Sequence, residues 1–320
     1  MRVVRAPHLC TTWNGRQLVL VDGVSGGVYR ASPDLIRTLD AYSEPAEADD
    51  SSRSLVDAGL LVPDSAPRHE TWSPFELVVQ RMSGGGGGRA RPPADRMPPP
   101  SKPPGPAPPI RLPRPRRVNQ ARLGSVLRHR RSHREFAAGD VPLAGLGELL
   151  TTAAGVHRSV PMSGVSYRPH PSAGGRHPLE TYVAALHVAD LERRAYRFDP
   201  FAGCLHRTAA DPRRLDRLPE ELGGALGSEL PVEPAAVLLI TAVFARTMWK
   251  YEQIGLSLVY KDAGALLQTL HLVAQALGLA GCIVHLRGEA EIARWLGLDP
   301  MEESLVGCFA VGASAVAPRA

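Results

Sequence analysis

The chain has 320 residues, 44% hydrophobic and 22% charged, which is enough for one large soluble domain or two modest ones. Its net charge of +5 invites a nucleic-acid reading, but the charge is local: residues 81–117 carry nine Lys/Arg against Asp95 alone, leaving the rest of the chain at −3. That distribution excludes a broad basic face for nucleic acid. Four scattered cysteines without a CxxC pair (Cys10, Cys204, Cys282, Cys308) suit a reducing cytoplasm and argue against a structural zinc.

Residues 1–80 read as a small module. "TWNGRQLVLVDG" predicts a hairpin turning at Asn14-Gly15. "SPDLIRTLDAY" predicts a helix capped by Ser32 with Pro33 in its first turn, and "SSRSLVDAGLLVP" a second short helix, a glycine stop and a strand. That order suggests a winged-helix-like unit, too weakly basic for DNA and better suited to a peptide or protein partner. Residues 81–117, rich in Gly, Pro and Arg, are expected to be a disordered linker.

From residue 118 onward the pattern is α+β. A helix over "DVPLAGLGELLTTAAG" is expected with Asp140 as its cap; "TYVAALHVA" is a strand, and "AYRFDPFAGCLHRT" a hairpin turning between Asp199 and Gly203. "AAVLLITAVFA" is continuously apolar, hence a central strand buried on both faces. A long helix follows over residues 256–277, then strands "CIVHL" and "LVGCFAVG" around the helix "EAEIARWLGL". The uncharged run 263–284 is interrupted by Gln268, His271 and Gln275, and Gly278 and Gly281 mark a helix end and a strand, so it reads as a buried helix rather than a membrane span.

Two segments carry candidate chemistry. "RRSHREF", residues 130–136, places Arg130, Ser132 and Arg134 on one side of an extended chain, as an anion site requires. "RPHPSAGGRHPLE", residues 168–180, couples a hydroxyl and two glycines, which let backbone approach a ligand, with flanking Arg168, Arg176 and His177. His271 and His285 stand in apolar surroundings and read as core histidines. Tyr260, Lys261 and Asp262 read as a helix face.

Together with "WKYEQIG", "KDAGALLQTLHLVAQALGLAGC" and "LVGCFAVG", these segments resemble, in order, the flavin-dependent nitroreductase superfamily. More narrowly, they resemble its SagB-type or thiazole oxidase branch, the azoline dehydrogenases of ribosomal-peptide pathways. The likeness covers residues 120–312, and residues 1–80 are similar to the module that precedes the oxidase domain in some members. It implies a nitroreductase-like mixed sheet with helices on both faces and a homodimer with FMN at the subunit interface. By motif position it assigns Arg130, Arg131, Ser132 and Arg134 to the phosphate, ribityl chain and pyrimidine edge. Pro171, Ser172, Ala173 and Gly174 would pass along the flavin from the other side. Gly281, His285 and Leu286 would lie near the ring, and Gln268 would face the partner's site. "VGASAVAPRA" departs from the family, which often has a basic residue soon after the last strand; Arg319 is the candidate here.

The resemblance also points to Lys250 as catalytic base and Tyr251 as its orienting partner, with Lys261 competing for the basic role. A lysine serves as a base where burial or a nearby cation disfavours its charge. The implied activity is oxidation of thiazoline or oxazoline rings to azoles in a modified precursor peptide. Molecular oxygen would re-oxidise the flavin, since no GxGxxG motif is present to hold a nicotinamide. A cyclodehydratase is a further expected partner. The alternatives are an NAD(P)H-dependent nitro or quinone reductase, and a non-catalytic peptide-binding scaffold.

Overall fold

The computed structural model describes residues 1–50, 52–66, 72–84, 97–113, 121–226, 231–251 and 254–315. They fall into two compact units, Met1–Gly87 and Gly88–Ala320. The first contains β1 (Arg2–Arg5), β2 (Leu9–Asn14), β3 (Gln17–Asp22), β4 (Val28–Arg30), α1 (Pro33–Ala41), β5 (Ala46–Glu47), α2 (Arg53–Asp57), β6 (Leu61–Pro63) and α3 (Pro74–Gly84). The strands form two sheets, β5-β1-β6 and β2-β3-β4, over a core of Val3, Leu20, Leu39, Tyr42, Leu60 and Leu61. The Ser32 hydroxyl accepts from the Leu35 N–H at 3.1 Å and starts α1 as expected. Asn14 pairs with Gln17, so the hairpin turns one residue later than expected, at Gly15-Arg16. α3 runs past residue 80, and Arg81 donates to the Ser25 carbonyl at 3.1 Å, so residues 81–84 belong to this unit rather than to a linker.

The second unit contains β7 (Ile110–Arg111), α4 (Leu123–His129), β8 (Val141–Pro142), α5 (Leu143–Ala154), β9 (Arg158–Val160), β10 (Val165–Tyr167), β11 (Leu179–Ala185), β12 (Val188–Ala189), β13 (Ala195–Asp199) and β14 (Cys204–Arg207). It continues with α6 (Leu218–Leu226), β15 (Ala236–Val243), α7 (Ala245–Met248), α8 (Gly255–Leu277), β16 (Leu279–Val284), α9 (Glu289–Trp295) and β17 (Glu303–Ala313). Seven strands form one sheet in the order β16-β17-β15-β11-β13-β14-β7. The α+β class holds, but each strand of this sheet runs against its neighbours, and the parallel pair β8–β12 lies outside it.

The period-two alternation of β15 shows why both faces are covered. Leu238 and Ile240 join α5 and α8 in one core, while Val237 and Leu239 join α6 and α9 in the other. α8 ends on Gly278 in the left-handed region (φ +71°), where the chain turns directly into β16. Asp140 does not cap α5: Val141 and Pro142 are drawn into pairing with β12, and the helix begins at Leu143 without a side-chain cap.

The larger departure concerns the expected linker. Residues 85–96 and 114–117 lie outside the described residues, but residues 97–113 are laid across the sheet. At one end of the face shared with α6 and α9, the strands carry polar side chains: Glu180 and Tyr182 on β11, Arg197 and His206 opposite Tyr182 in register, Thr241 opposite Glu180, and Glu303 on β17. The 97–113 strap lies over them. Lys102 Nζ sits 2.5 Å from Glu303 and donates to the Tyr182 hydroxyl at 2.8 Å. The Pro103 carbonyl accepts from Arg197 at 2.7 Å, and the Gly105 N–H donates to His206 Nδ1 at 3.3 Å. The strap then becomes β7, the edge strand beside β14. This proline-rich segment is ordered here because the polar end of the sheet takes its carbonyl acceptors, the Gly105 N–H and the Lys102 cation, while Ile110 and Leu112 pack against the first core.

Candidate functional site

α4 ends at His129, and residues 130–135 continue without regular structure along the start of β16. The His133 N–H donates to the Gly281 carbonyl at 3.0 Å, which fixes the segment on the strand. His271, buried in α8, donates Nε2–H to the same carbonyl at 3.1 Å. Its Nδ1 is therefore free to accept from the Arg130 guanidinium, also at 3.1 Å. Burial, with Arg130 adding to it, pushes the His271 pKa down. Ser132 and Arg134 stay exposed, and Arg131 donates back to the Arg128 and Arg130 carbonyls. The first candidate wall is thus a cationic edge held by a neutral histidine.

The second wall is the turn at residues 171–175. Ser172 donates to Asp262 Oδ2 at 2.5 Å and accepts the His177 N–H at 2.9 Å, while the Ala173 N–H donates to Asp262 Oδ1 at 3.2 Å. Asp262 is buried on α8; burial raises its pKa, and the two donors from the turn oppose that rise. Gly174 stands at φ +63°, and a Cβ there would lie 3.1 Å from the Tyr251 hydroxyl and 3.4 Å from Lys250 Nζ. Lys250 Nζ itself lies 5.3 Å from the Tyr251 ring centre. The structure therefore brings the expected base and its partner against the expected flavin-side turn.

The remaining candidate residues are divided between the interior and the surface. Arg176 and His177, read as flanking a ligand, are each 2% exposed and turn inward. Arg168 also points inward, stacked on Phe201, with burial lowering its pKa to about 10. His285 is no core histidine: it is 82% exposed and sits 3.8 Å from Glu289. Leu286 is buried in the second core. Lys261 is exposed, whereas Asp262 beside it is buried and holds the turn from within. Gln268 and Pro171 are exposed, and Arg319 lies outside the described residues.

The two walls meet α8 at Asp262 and at His271, nine residues apart. Nine residues make about two and a half turns and about 13 Å of helix, so the two contacts leave α8 on opposite sides. Asp199, Cys204 and His206 also approach within 4.8 Å of one another. The Gly105 N–H, however, faces His206 Nδ1, where a metal-bound imidazole would donate a hydrogen bond. That cluster anchors the strap and offers no metal-ready imidazole.

A match to the description "Nitroreductase family" spans residues 127–313, more than half of the chain and both walls. The chain belongs to the nitroreductase family. It is a nitroreductase-family oxidoreductase by that membership. Over 167 residues it is 30% identical to a Methanocaldococcus jannaschii protein provisionally named a nitroreductase, covering 51% of this chain and 77% of that one. A similarly named nitroreductase of Ralstonia eutropha superposes with a TM-score of 0.53 at 27% identity, over 65% of this chain and 90% of that one. A chain of the E. coli microcin synthetase McbBCD complex with truncated pro-MccB17 bound gives a TM-score of 0.49 at 21% identity, over 57% and 68% of the two chains. Among the described residues no helix is long and apolar enough to cross a membrane.

Two outcomes are expected of this chain. Asp262→Ala strips the Ser172 hydroxyl and the Ala173 N–H of their acceptor and should cost about 1–3 kcal/mol in urea unfolding; a loss below about 0.5 kcal/mol would mean the aspartate does not hold the turn. His170 and His177, 3.3 Å apart and buried, have pKa values lowered to about 4 and about 3, chiefly by desolvation and with Arg168 contributing. As pH falls below about 6.5 the unfolded chain binds protons first. Stability fully present above that pH should therefore decline towards about pH 4, by up to about 1.4 kcal/mol per pH unit for each ring. Equal urea midpoints at pH 7.5 and 5.0 would contradict this.

Proposed function

We propose that this nitroreductase is an FMN-dependent dehydrogenase that oxidises azoline rings, thiazoline or oxazoline, to azoles in a modified precursor peptide. The observation that carries the reading is the placement of Lys250 Nζ and the Tyr251 hydroxyl over Gly174. A reductase fed by a soluble hydride donor has no need of a base there. Aromatising an azoline does need one, since a proton must leave the α-carbon while a hydride leaves the neighbouring ring carbon.

The residues present suit FMN. Arg131, Ser132 and Arg134 offer exposed cationic and hydroxyl donors for a phosphate and polar edge. The turn at Gly174 offers backbone without a side chain at a positive φ, with the Tyr251 hydroxyl and Lys250 Nζ set against it. FMN, when bound, would supply a two-electron acceptor for the hydride that O2 can restore. On this reading Lys250 takes the α-proton on Nζ, and Tyr251, in reach of the same spot, orients it.

Because the two walls leave α8 on opposite sides, one ligand touching both is best served by two copies of the chain. α8 carries an exposed stripe at four-residue spacing, Leu256, Tyr260, Gly264 and Gln268, with open space above Gly264. Two such helices crossing antiparallel would bring residues 130–134 of one copy beside residues 171–174 of the other. In the first unit, a groove of about 460 Å³ runs beside Leu9 and Thr11 of β2, an edge strand of its sheet. Such an edge can add an extended peptide through main-chain hydrogen bonds, and we assign the groove to the substrate peptide.

The test is anaerobic mixing of the FMN-loaded protein with an azoline-bearing peptide. Bleaching of the flavin band with loss of about two mass units per ring is expected, and Lys250→Ala should slow it by about 100-fold or more while leaving FMN bound. No bleaching by the peptide, with rapid bleaching by NADPH, would make the protein a reductase and Lys250 a bystander.

A further inference from the structure

We propose that the proline-rich strap, residues 97–113, is a positioning element for the site: by clamping Arg176 and Arg246 it sets Lys250 and Tyr251 against Gly174. The proposal rests on reading Lys250 and Tyr251 as the working pair.

Successive carbonyls of the strap take one arginine from each segment that carries the site. The Pro98 carbonyl accepts from Arg176 Nη2 at 2.6 Å, and the Pro99 carbonyl from Arg246 Nε at 2.9 Å. Arg176 closes the turn that contains Gly174. Its other guanidinium nitrogens reach the Gly164 carbonyl at 2.8 Å and the Arg246 carbonyl at 3.4 Å, and its plane lies over the Trp249 ring. Gly164, at φ +59°, leaves room for that guanidinium, which a side chain there would overlap.

Arg246 lies in α7 and pairs with Glu180 at 2.7 Å, while also reaching the His177 carbonyl at 3.4 Å. α7 passes straight into the working pair: the Lys250 and Tyr251 N–H groups both donate to the Thr247 carbonyl at 3.0 Å. The turn and the pair are therefore joined through two arginines, and the strap holds both.

Proline is suited to this task. It brings a carbonyl acceptor without an N–H that would need a partner of its own, so it meets arginines and buries no orphan donor. Its fixed φ also stiffens the path from Lys102, anchored on Glu303 and Tyr182, back to Pro98 and Pro99. Where Lys102 is seated decides where the two carbonyls lie.

Hydrogen exchange read by mass spectrometry on the full-length, FMN-loaded protein tests this. Lys102→Ala removes the anchor at a distance from the pair; Glu303→Gln weakens it while keeping an acceptor for Thr241, and stands in should the first variant fold poorly. Exchange is expected to quicken by about tenfold or more at residues 174–177 and 246–251 as well as in the strap. The pH profile of Lys250 acetylation should shift with it, and Lys102→Arg should restore both. Quickened exchange confined to residues 97–113, with Lys250 labelling unchanged, would overturn the proposal and leave the strap a passive cover. Exchange quickened throughout β15 in both variants would overturn it too, by making the strap a requirement of folding alone. Neither readout needs a substrate. Failure on azoline peptides with this coupling intact would fault the assigned reaction and not the strap.

Discussion

Arg246 and Glu180 meet at 2.7 Å where neither is more than 4% exposed, and much of the second unit is arranged to make that contact tolerable. Taking two such charges out of water costs several kcal/mol each, which their attraction offsets only if the remaining donors and lone pairs find partners. The His177 carbonyl, the Pro99 carbonyl and the Arg197 guanidinium (3.9 Å from Glu180) surround the pair. One of these belongs to the turn that carries Gly174, one to the strap and one to the sheet. The pair thus ties together three pieces of chain far apart in sequence. Each supplies a polar group that an apolar core could not.

α8 does the complementary work from the other face. Asp262 and His271 interrupt the apolar residues on its buried side, and each is committed to a segment of the site. Asp262 holds the turn, and His271, kept neutral by burial, holds Arg130. Their opposite directions turn one helix into a spacer between two half-sites. On the proposed reading, that geometry calls for a second copy of the chain to complete the site.

The sequence was most legible where periodicity decides structure. β15 could be recognised from its unbroken apolar run, α8 from its length and glycine stop, and the β13–β14 hairpin from its turn residues. The two motif segments and the Lys250-Tyr251 pair were legible as residue types in order, and the structure places the pair on the expected turn. The strap was not legible, because proline-rich composition describes what a segment cannot bury and not what surface awaits it. The clue lay in the strands: Glu180 and Tyr182, then Arg197, His206 and Thr241, alternate polar residues onto a face that should be apolar. Asp262 gave a similar clue, falling among Val259, Ala263 and Leu266 on the buried side of its helix. Arg176 and His177 misled because a charge beside a glycine turn serves a ligand or the turn itself, and only tertiary structure separates the two.

Complementation most directly tests the proposal that a flavin site is shared between two copies of the chain. Arg134→Glu disables the first wall, and Gly174→Trp, at a position with φ +63° crowded by Tyr251, disables the second. Each variant alone should be a folded dimer without FMN. Mixed and reassociated in equal amounts, they should regain FMN at up to about a quarter of the sites, since half the dimers are hybrids with one intact site each. Hybrid dimers that bind no FMN, beside a wild-type dimer that does, would place both walls within one chain and contradict the account.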